Sequence, residues 1–374
     1  MRLKGKEAWI ALNLIPGIGR STFFRLLEYF EDPAEVFEAS LEELSEVPRM
    51  NPGRAAKIKN FDQYAALERE RDLLKKSGAR VITIEDDEYP QSLKDIYDPP
   101  PLFYILGEFR PEDNISLSVI GSRKYTTYGR DVCKKMVREL VEIGFTIVSG
   151  MARGMDSVAH QAALGTGGRT VAFLGCGIDV VYPPENHALM KKIAGQGAVM
   201  SEFPLSIPPR AYNFPVRNRV VSGASLGTVV IEAGSRSGTS ITVGCALEQG
   251  KEVFCVPGPI TSPISKGTNR FIQTGAKLIT RVEDILEEIR FEFSDVEERY
   301  NAWLKNNQVV PKPVKITAEQ ARILEIIQNE ELHIDEIITR SGFMANRVLG
   351  ILMLLENRGI VTQSPGKMFR KSLI

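Results

Sequence analysis

A chain of 374 residues with 43% hydrophobic and 25% charged side chains is too long for one ordinary domain and too apolar for wholesale disorder. Lys+Arg 47 against Asp+Glu 47 gives zero net charge, which taken alone argues against a nucleic-acid binder. The zero is a cancellation. Residues 1–114 carry 16 basic and 22 acidic side chains, 115–280 carry 18 and 10, 281–310 carry 4 and 8, and 311–374 carry 9 and 7. One central block is basic, and the ends mask it. Cys133, Cys176, Cys245 and Cys255 show no CxxC spacing and sit in apolar or Gly-containing runs, which predicts buried free thiols in a reducing compartment. No apolar run approaches about 18 residues and no cleavage site follows the first apolar stretch, so the expectation is a soluble cytoplasmic protein.

In chain order, residues 1–65 read as a helical module built around two turns. Glu7–Leu14 and Thr22–Phe30 flank the hairpin Pro16-Gly17-Ile18-Gly19, and a weaker echo spans Leu44–Ile58. This is the pattern of paired helix–hairpin–helix, SAM-like modules, whose glycines let backbone N–H groups approach a phosphate. Arg49 and Asn51 replace those glycines in the second hairpin and the segment is acidic, so packing or partner binding is favoured over DNA contact.

Residues 78–290 change texture to β-branched runs alternating with helices. Strands are predicted at Arg80–Ile84, Leu102–Leu106, Ser116–Ile120, Thr146–Ser149, Thr170–Leu174, Ala198–Ser201, Thr228–Ile231, Glu252–Val256 and Lys277–Ile279. Helices such as Thr127–Ile143, Met155–Leu164 and Thr239–Gln249 lie between them, which is the signature of an α/β parallel sheet covered on both faces. Residues 291–313 read as an acidic segment and linker. Residues 314–374 give three helices and a two-stranded hairpin, a winged helix. Its third helix offers only Arg347 as a cation, so a protein-contact or regulatory role is favoured there over base readout.

The chemistry is concentrated where strands end, because ligands of open parallel sheets bind beyond the carboxyl ends of the strands. Ser116–Ile120 runs into Gly121-Ser122-Arg123-Lys124, and Thr146–Ser149 runs into Gly150-Met151-Ala152-Arg153-Gly154. Thr170–Leu174 runs into Gly175-Cys176-Gly177, and the Thr228 strand runs into a turn holding Arg236, Ser237, Gly238 and Ser240. Glycines admit a ligand close to the backbone, hydroxyls and N–H groups suit phosphate oxygens, and the arginines supply charge. Arg210 and Arg217-Asn218-Arg219, the latter just after Phe214-Pro215, add cations to the same rim, and a groove of this extent suits a chain of phosphates. A GxxxxGK[ST] loop and a GxGxxG fingerprint are both absent.

Competing catalytic readings are weaker. Asp156 and His160 stand four apart on a helix, but Asp156 is expected to satisfy N–H groups at the helix start while His160 packs. Glu202 and Glu232 end strands with no nucleophile for them to serve. His187 and His333 have no partner at ligand spacing, so no metal or cofactor is expected.

The ordered motifs Gly121-Ser122-Arg123, Ser149 through Asp156, Tyr182-Pro183-x-x-Asn186, Ser201-Glu202, Phe214-Pro215-x-Arg217-Asn218-Arg219, Glu232-Ala233 and Ser237-Gly238-x-Ser240 resemble those of the DprA/Smf DNA-processing proteins. The resemblance covers essentially the whole chain. It implies an extended Rossmann-like domain flanked by an N-terminal helix–hairpin–helix module and a C-terminal winged helix. It also implies a non-catalytic protein that binds single-stranded DNA, dimerises, protects incoming strands and helps load RecA recombinase during natural transformation. Carried over by position, Gly121, Ser122 and Arg123 contact phosphates, the Gly150–Gly154 turn supplies backbone donors, and Arg217 and Arg219 border the pocket. One departure is Pro184, which stands where many relatives carry a basic residue. The rival reading is an enzyme or carrier for small nucleoside phosphates, against which the poor fit of Gly234-Ser235-Arg236-Ser237-Gly238-Thr239 to a Gly-Gly-x-Gly-Thr turn counts.

Overall fold

A computed structural model describes residues 3, 5–235, 237–289, 294–307, 317–327, 331–357, 360–364 and 366–371. The chain divides into two compact units, Met1–Lys305 and Asn306–Ile374.

The first unit opens with six helices, α1 (Lys6–Leu14), α2 (Arg20–Phe30), α3 (Glu35–Glu38), α4 (Leu41–Glu46), α5 (Pro52–Lys59) and α6 (Gln63–Ser77). Local chemistry sets their starts. Ser40 and Glu43 form a reciprocal capping box on α4, while the Asn51 and Asp62 side chains accept from the first turns of α5 and α6. Gly17, at φ +90°, makes the hairpin before α2.

Nine strands follow: β1 (Arg80–Thr83), β2 (Leu102–Gly107), β3 (Ser116–Ile120), β4 (Thr146–Ser149), β5 (Thr170–Phe173), β6 (Ala198–Ser201), β7 (Gly227–Val230), β8 (Glu252–Cys255) and β9 (Lys277–Leu278). They form one sheet in the order β1-β2-β6-β5-β4-β3-β7-β8-β9. All nine lie where sequence pattern predicts them. The sheet is not wholly parallel, however: β3 to β9 run together, while β2 is antiparallel to both β1 and β6. The reason lies in the 108–115 connection, which holds a single 3-10 turn and no crossover helix. Eight residues reach about 27 Å, enough to pass under the intervening strands at about 4.8 Å each. They cannot carry the chain to the far end of the sheet and back, so β3 enters where β2 ends.

The connecting helices α7 (Gln91–Lys94), α8 (Thr127–Ile143), α9 (Met155–Gly165), α10 (His187–Gln196), α11 (Asn213–Gly223), α12 (Thr239–Glu248) and α13 (Lys266–Gln273) sort by face. Leu117, Ile147 and Val229 point to the side of α8 and α9, while Val148, Phe173 and Val230 point to the side of α11 and α12. This period-2 alternation of fully buried strands is what the apolar runs encode. The helical module shares a core with the sheet, through Leu12, Leu26 and Leu67 with Leu102, Tyr104 and Val199. It is therefore built into the first unit rather than tethered to it.

The segment 291–313, read above as a linker, is in its described part a helix. After α14 (Glu283–Ile289), α15 (Ser294–Asn307) buries Val296 beside Tyr300 and Trp303 against the sheet domain, and Arg299 donates to the Gly144 carbonyl at 2.6 Å. Apolar residues at helical spacing within the acidic run explain the difference.

The second unit holds α16 (Ala318–Ile326), α17 (Ile334–Ser341) and α18 (Ala345–Asn357) with strands β10 (Leu332–His333), β11 (Val361–Ser364) and β12 (Met368–Lys371). Thr317 and Gln320 form a capping box on α16. Ile323, Ile337, Val348, Leu352 and Phe369 make its own core, giving the predicted winged helix.

Candidate nucleic-acid interface

The sheet changes direction at β3. From there the chain adds β4, β5 and β6 on one side, then β7, β8 and β9 on the other. The crevice between β3 and β7, beyond their carboxyl ends, is the switch point at which doubly wound sheets bind ligands. A cavity of about 810 Å³ lies there.

Its floor is two glycine-rich turns laced together. Gly154, at φ +91°, lies against the Ser122–Arg123 backbone, so that any Cβ would collide with it, and Met155 N donates to Ser122 O at 3.1 Å. The Ser122 hydroxyl closes its own turn, accepting from Lys124 N at 3.1 Å and donating to Lys124 O at 2.6 Å. Glu232 fixes the far end of this loop. Its carboxylate accepts from Thr126 N at 2.9 Å and from the Thr126 hydroxyl, which in turn caps α8 at Gly129 N. A Cβ on Gly129 would occupy the place of that carboxylate. Glu232 is thus a structural brace, 2% exposed, and not a free base.

Arg217 is the buried cation of the wall. Only 5% exposed, it donates to the carbonyls of Gly150 and of Phe173, the latter at 2.6 Å, and its Nε donates to Asn218 Oδ1 at 3.1 Å. Burial pulls its pKa down while Asp156 opposes the shift; burial likewise pushes Asp156 up while Arg217 opposes it. Asp156 accepts from Ala152 N at 3.3 Å, and His160 packs wholly buried with Nδ1 2.7 Å from the Thr170 hydroxyl. Neither side chain is available as an acid–base pair for a ligand.

The free charge faces outward. Arg123 and Lys124 are exposed, line the cavity and make no ion pair among the described residues, and Arg123 stands over the Phe214 ring at 5.9 Å. Arg153 also lines the cavity, but Glu185 holds it through two hydrogen bonds. The Ser237 hydroxyl lines the cavity without a hydrogen-bond partner among the described residues, and α12 starts beside it with Thr239 and Thr242 on the wall. A helix start and a hydroxyl beside two cations are groups of the kind that suit an anion. Phe214 and Tyr182 add an aromatic pair with centroids 5.5 Å apart.

The family model of DNA recombination-mediator protein A matches residues 80–290. This chain belongs to the DprA/Smf family. Models of the SAM-like helix-hairpin-helix tandem and the DprA winged helix domain match residues 10–61 and 310–367. Protein Smf of Escherichia coli (strain K12) is 33% identical over 96% of this chain and 94% of its own length. The DNA processing protein DprA of Bacillus subtilis (strain 168) is 38% identical over 63% and 80%. Among solved structures, DprA from Streptococcus pneumoniae superposes with a TM-score of 0.68 at 34% identity, covering 77% of this chain and 99% of that one. DprA from Helicobacter pylori, solved to show its single-stranded DNA binding mode, gives 0.52 at 28% identity, covering 58% and 99%.

Within this DprA/Smf site the structure brings together Gly121, Ser122, Arg123, Lys124, Gly150, Ala152, Arg153, Arg217, Asn218, Ser237 and Gly238, all on the cavity wall. Met151 and Gly154 lie behind it; Met151 is buried at φ +54° with its carbonyl accepting from Asn186 Nδ2 at 2.9 Å. Arg236 lies outside the described residues. Arg210, Arg219 and Ser240 do not line the cavity. Arg210 folds onto Tyr212, donating to its hydroxyl at 2.9 Å. Arg219, two residues past Arg217 on the helix, turns the other way and pairs with Glu202 at 2.6 Å and Asp98 at 3.2 Å. Gly175 and Gly177 serve packing, against Phe214 and against the Pro204–Ser206 backbone. Tyr182 and Thr239, named from sequence only as members of motifs, also line the cavity, and so does Thr242, which was not named; the i,i+3 threonines at a helix start are the signal that points to it.

Proposed function

We propose that this chain is a non-catalytic, cytoplasmic protein that holds single-stranded DNA by its backbone at the β3/β7 switch point. In this reading it acts as a homodimer through the sheet domain, protects incoming DNA and helps load RecA recombinase during natural transformation, with no cofactor. The observation that carries the reading is the pair Arg123 and Lys124, free cations beside the unpartnered Ser237 hydroxyl and the start of α12. Membership of the DprA/Smf family and the single-stranded DNA binding mode of the Helicobacter pylori relative support it. Among the described residues the carboxylates nearest the cavity, Glu232, Asp156 and Glu185, already accept from Thr126, Ala152 and Arg153, which disfavours a general-base role for them.

The test is a salt titration of labelled oligo-dT and of duplex by fluorescence anisotropy. Single strand is expected to bind more tightly, and Arg123→Ala to weaken it and flatten the log–log salt slope by about 0.7. Unchanged affinity in Arg123→Ala overturns the assignment. Release of base from nucleoside monophosphates would establish the small-nucleotide reading instead.

A further inference from the structure

A second cavity, of about 460 Å³, opens between α6 and α10, away from the switch point. Leu73, Leu106, Ile178, Val181, Met190 and Ala194 supply its apolar walls, and these belong to or pack against the core shared by the helical module and the sheet. The walls therefore hold their shape without a ligand. That volume accommodates one or two large apolar side chains, and the flexible thioether of Met190 adapts to their outline.

The rim is basic. Lys76 on α6 and Lys191 on α10 line the opening, and Lys75 and Lys192 stand beside them in sequence. All four are exposed, and none forms an ion pair among the described residues, although most arginines around them are paired. Asp179 is the one carboxylate on the wall; it is exposed and accepts from Ser206 N at 2.7 Å and from the Ser206 hydroxyl at 3.1 Å, and its single charge is outnumbered by the four lysines. An apolar socket with an excess of positive charge on its flanks calls for a ligand with an apolar anchor and several negative charges.

We propose that this cavity is a docking site for an acidic peptide segment of a partner protein, with a large apolar residue of that segment seated between α6 and α10. Charge complementarity selects this occupant. The lysines are spread over two helices, which matches a run of carboxylates; the single head group of a fatty acid would engage one or two of them. Nucleic acid would use the lysines but not the apolar walls, and no Phe, Tyr or Trp lines the cavity for a base to stack on, the His187 imidazole being its one ring.

The full-length protein is titrated into a fluorescein-labelled peptide in which a run of aspartates precedes a phenylalanine. Saturable binding is expected, weakened about tenfold or more by Lys76→Glu with Lys191→Glu. A similar loss is expected in Ala194→Phe, which fills the socket, and with a peptide carrying serine in place of the phenylalanine. Oligo-dT affinity should stay within about twofold in the lysine variant. Since Ala194→Phe can also disturb the fold, its melting curve is recorded, and the surface lysine pair carries the decision on its own. The proposal is overturned if the lysine variant binds the peptide like the parent. Displacement of the peptide by oligo-dT, or decanoate binding the socket where the peptide does not, also overturns it.

Discussion

At the residue scale the site is organised by buried polar groups that hold the strand ends together. Arg217 spans from Gly150 to Phe173 and so ties the end of β4 to the end of β5. Gly150 is required because a Cβ would displace the guanidinium. Gly150→Ala is accordingly expected to destabilise the protein by about 2–4 kcal/mol, since the buried cation loses its carbonyls; thermal melting and oligo-dT affinity should fall together. His160 gives a pH dependence. The Thr170 hydroxyl spends its one proton on the Ile147 carbonyl at 2.6 Å, so Nδ1 of His160 is the donor in the 2.7 Å contact. Burial, reinforced by the Arg217 charge, pushes the pKa of His160 down to about 3. Between that value and the ordinary 6.5 the unfolded chain binds the proton and the native chain does not. Stability is therefore full above pH 6.5 and declines as the pH falls towards 3, by about 1.4 kcal/mol per unit from this group. His160→Gln should flatten that part of a melting-temperature profile.

At the element scale, α11 faces two ways. Arg217 and Asn218 look into the cavity, while Arg219 joins Glu202, Asp98 and Arg20 in a four-charge network behind it. Arg20 opens α2, directly after the glycine hairpin whose pattern allows a phosphate contact. The hairpin's cation is instead spent on the sheet domain, with Nη1 donating to Glu202 at 2.9 Å and Nη2 within 2.9 Å of Asp98. The packing role favoured by the acidic balance of this segment matches that geometry. Arg20→Ala is expected to lower stability by about 1–2 kcal/mol, because two carboxylates are left to share Arg219. Limited proteolysis should cut faster around residues 60–80. Oligo-dT affinity should stay within about threefold, since no cavity residue is altered; a larger drop would mean that the network sets the position of Arg217.

At the scale of the whole molecule, the zero net charge resolves into parts with different work. The basic central block carries the switch-point cavity, while the third helix of the winged helix carries a single cation, and Lys367, Arg370 and Lys371 of its hairpin are exposed. Its third-helix cation, Arg347, is held by Glu319 at 2.5 Å, and Met344, Leu349, Met353 and Leu354 are exposed on or beside that helix. Arg347→Ala should therefore leave duplex affinity unchanged in the salt titration; a loss of more than about fivefold would make this helix a DNA reader. No single described helix is long and apolar enough to cross a membrane.

Strand positions were legible in the sequence, because fully buried parallel strands must be apolar on both faces and must end in turn residues that punctuate them. The clustering of Gly121–Lys124 with Gly150–Arg153 was legible for the same reason, since both follow strands that run in one direction. Local pattern could not say that β2 runs backwards, because an eight-residue connection constrains direction only once the strand order is known. Nor could it separate Arg217 from Arg219, two cations two residues apart: two 100° steps, about 200° of helix, send one to the cavity and the other to Glu202. The sequence by itself determined the elements, their order and the basic block. Only the tertiary structure decided which charges stay free for a ligand, because pairing depends on carboxylates brought from distant segments.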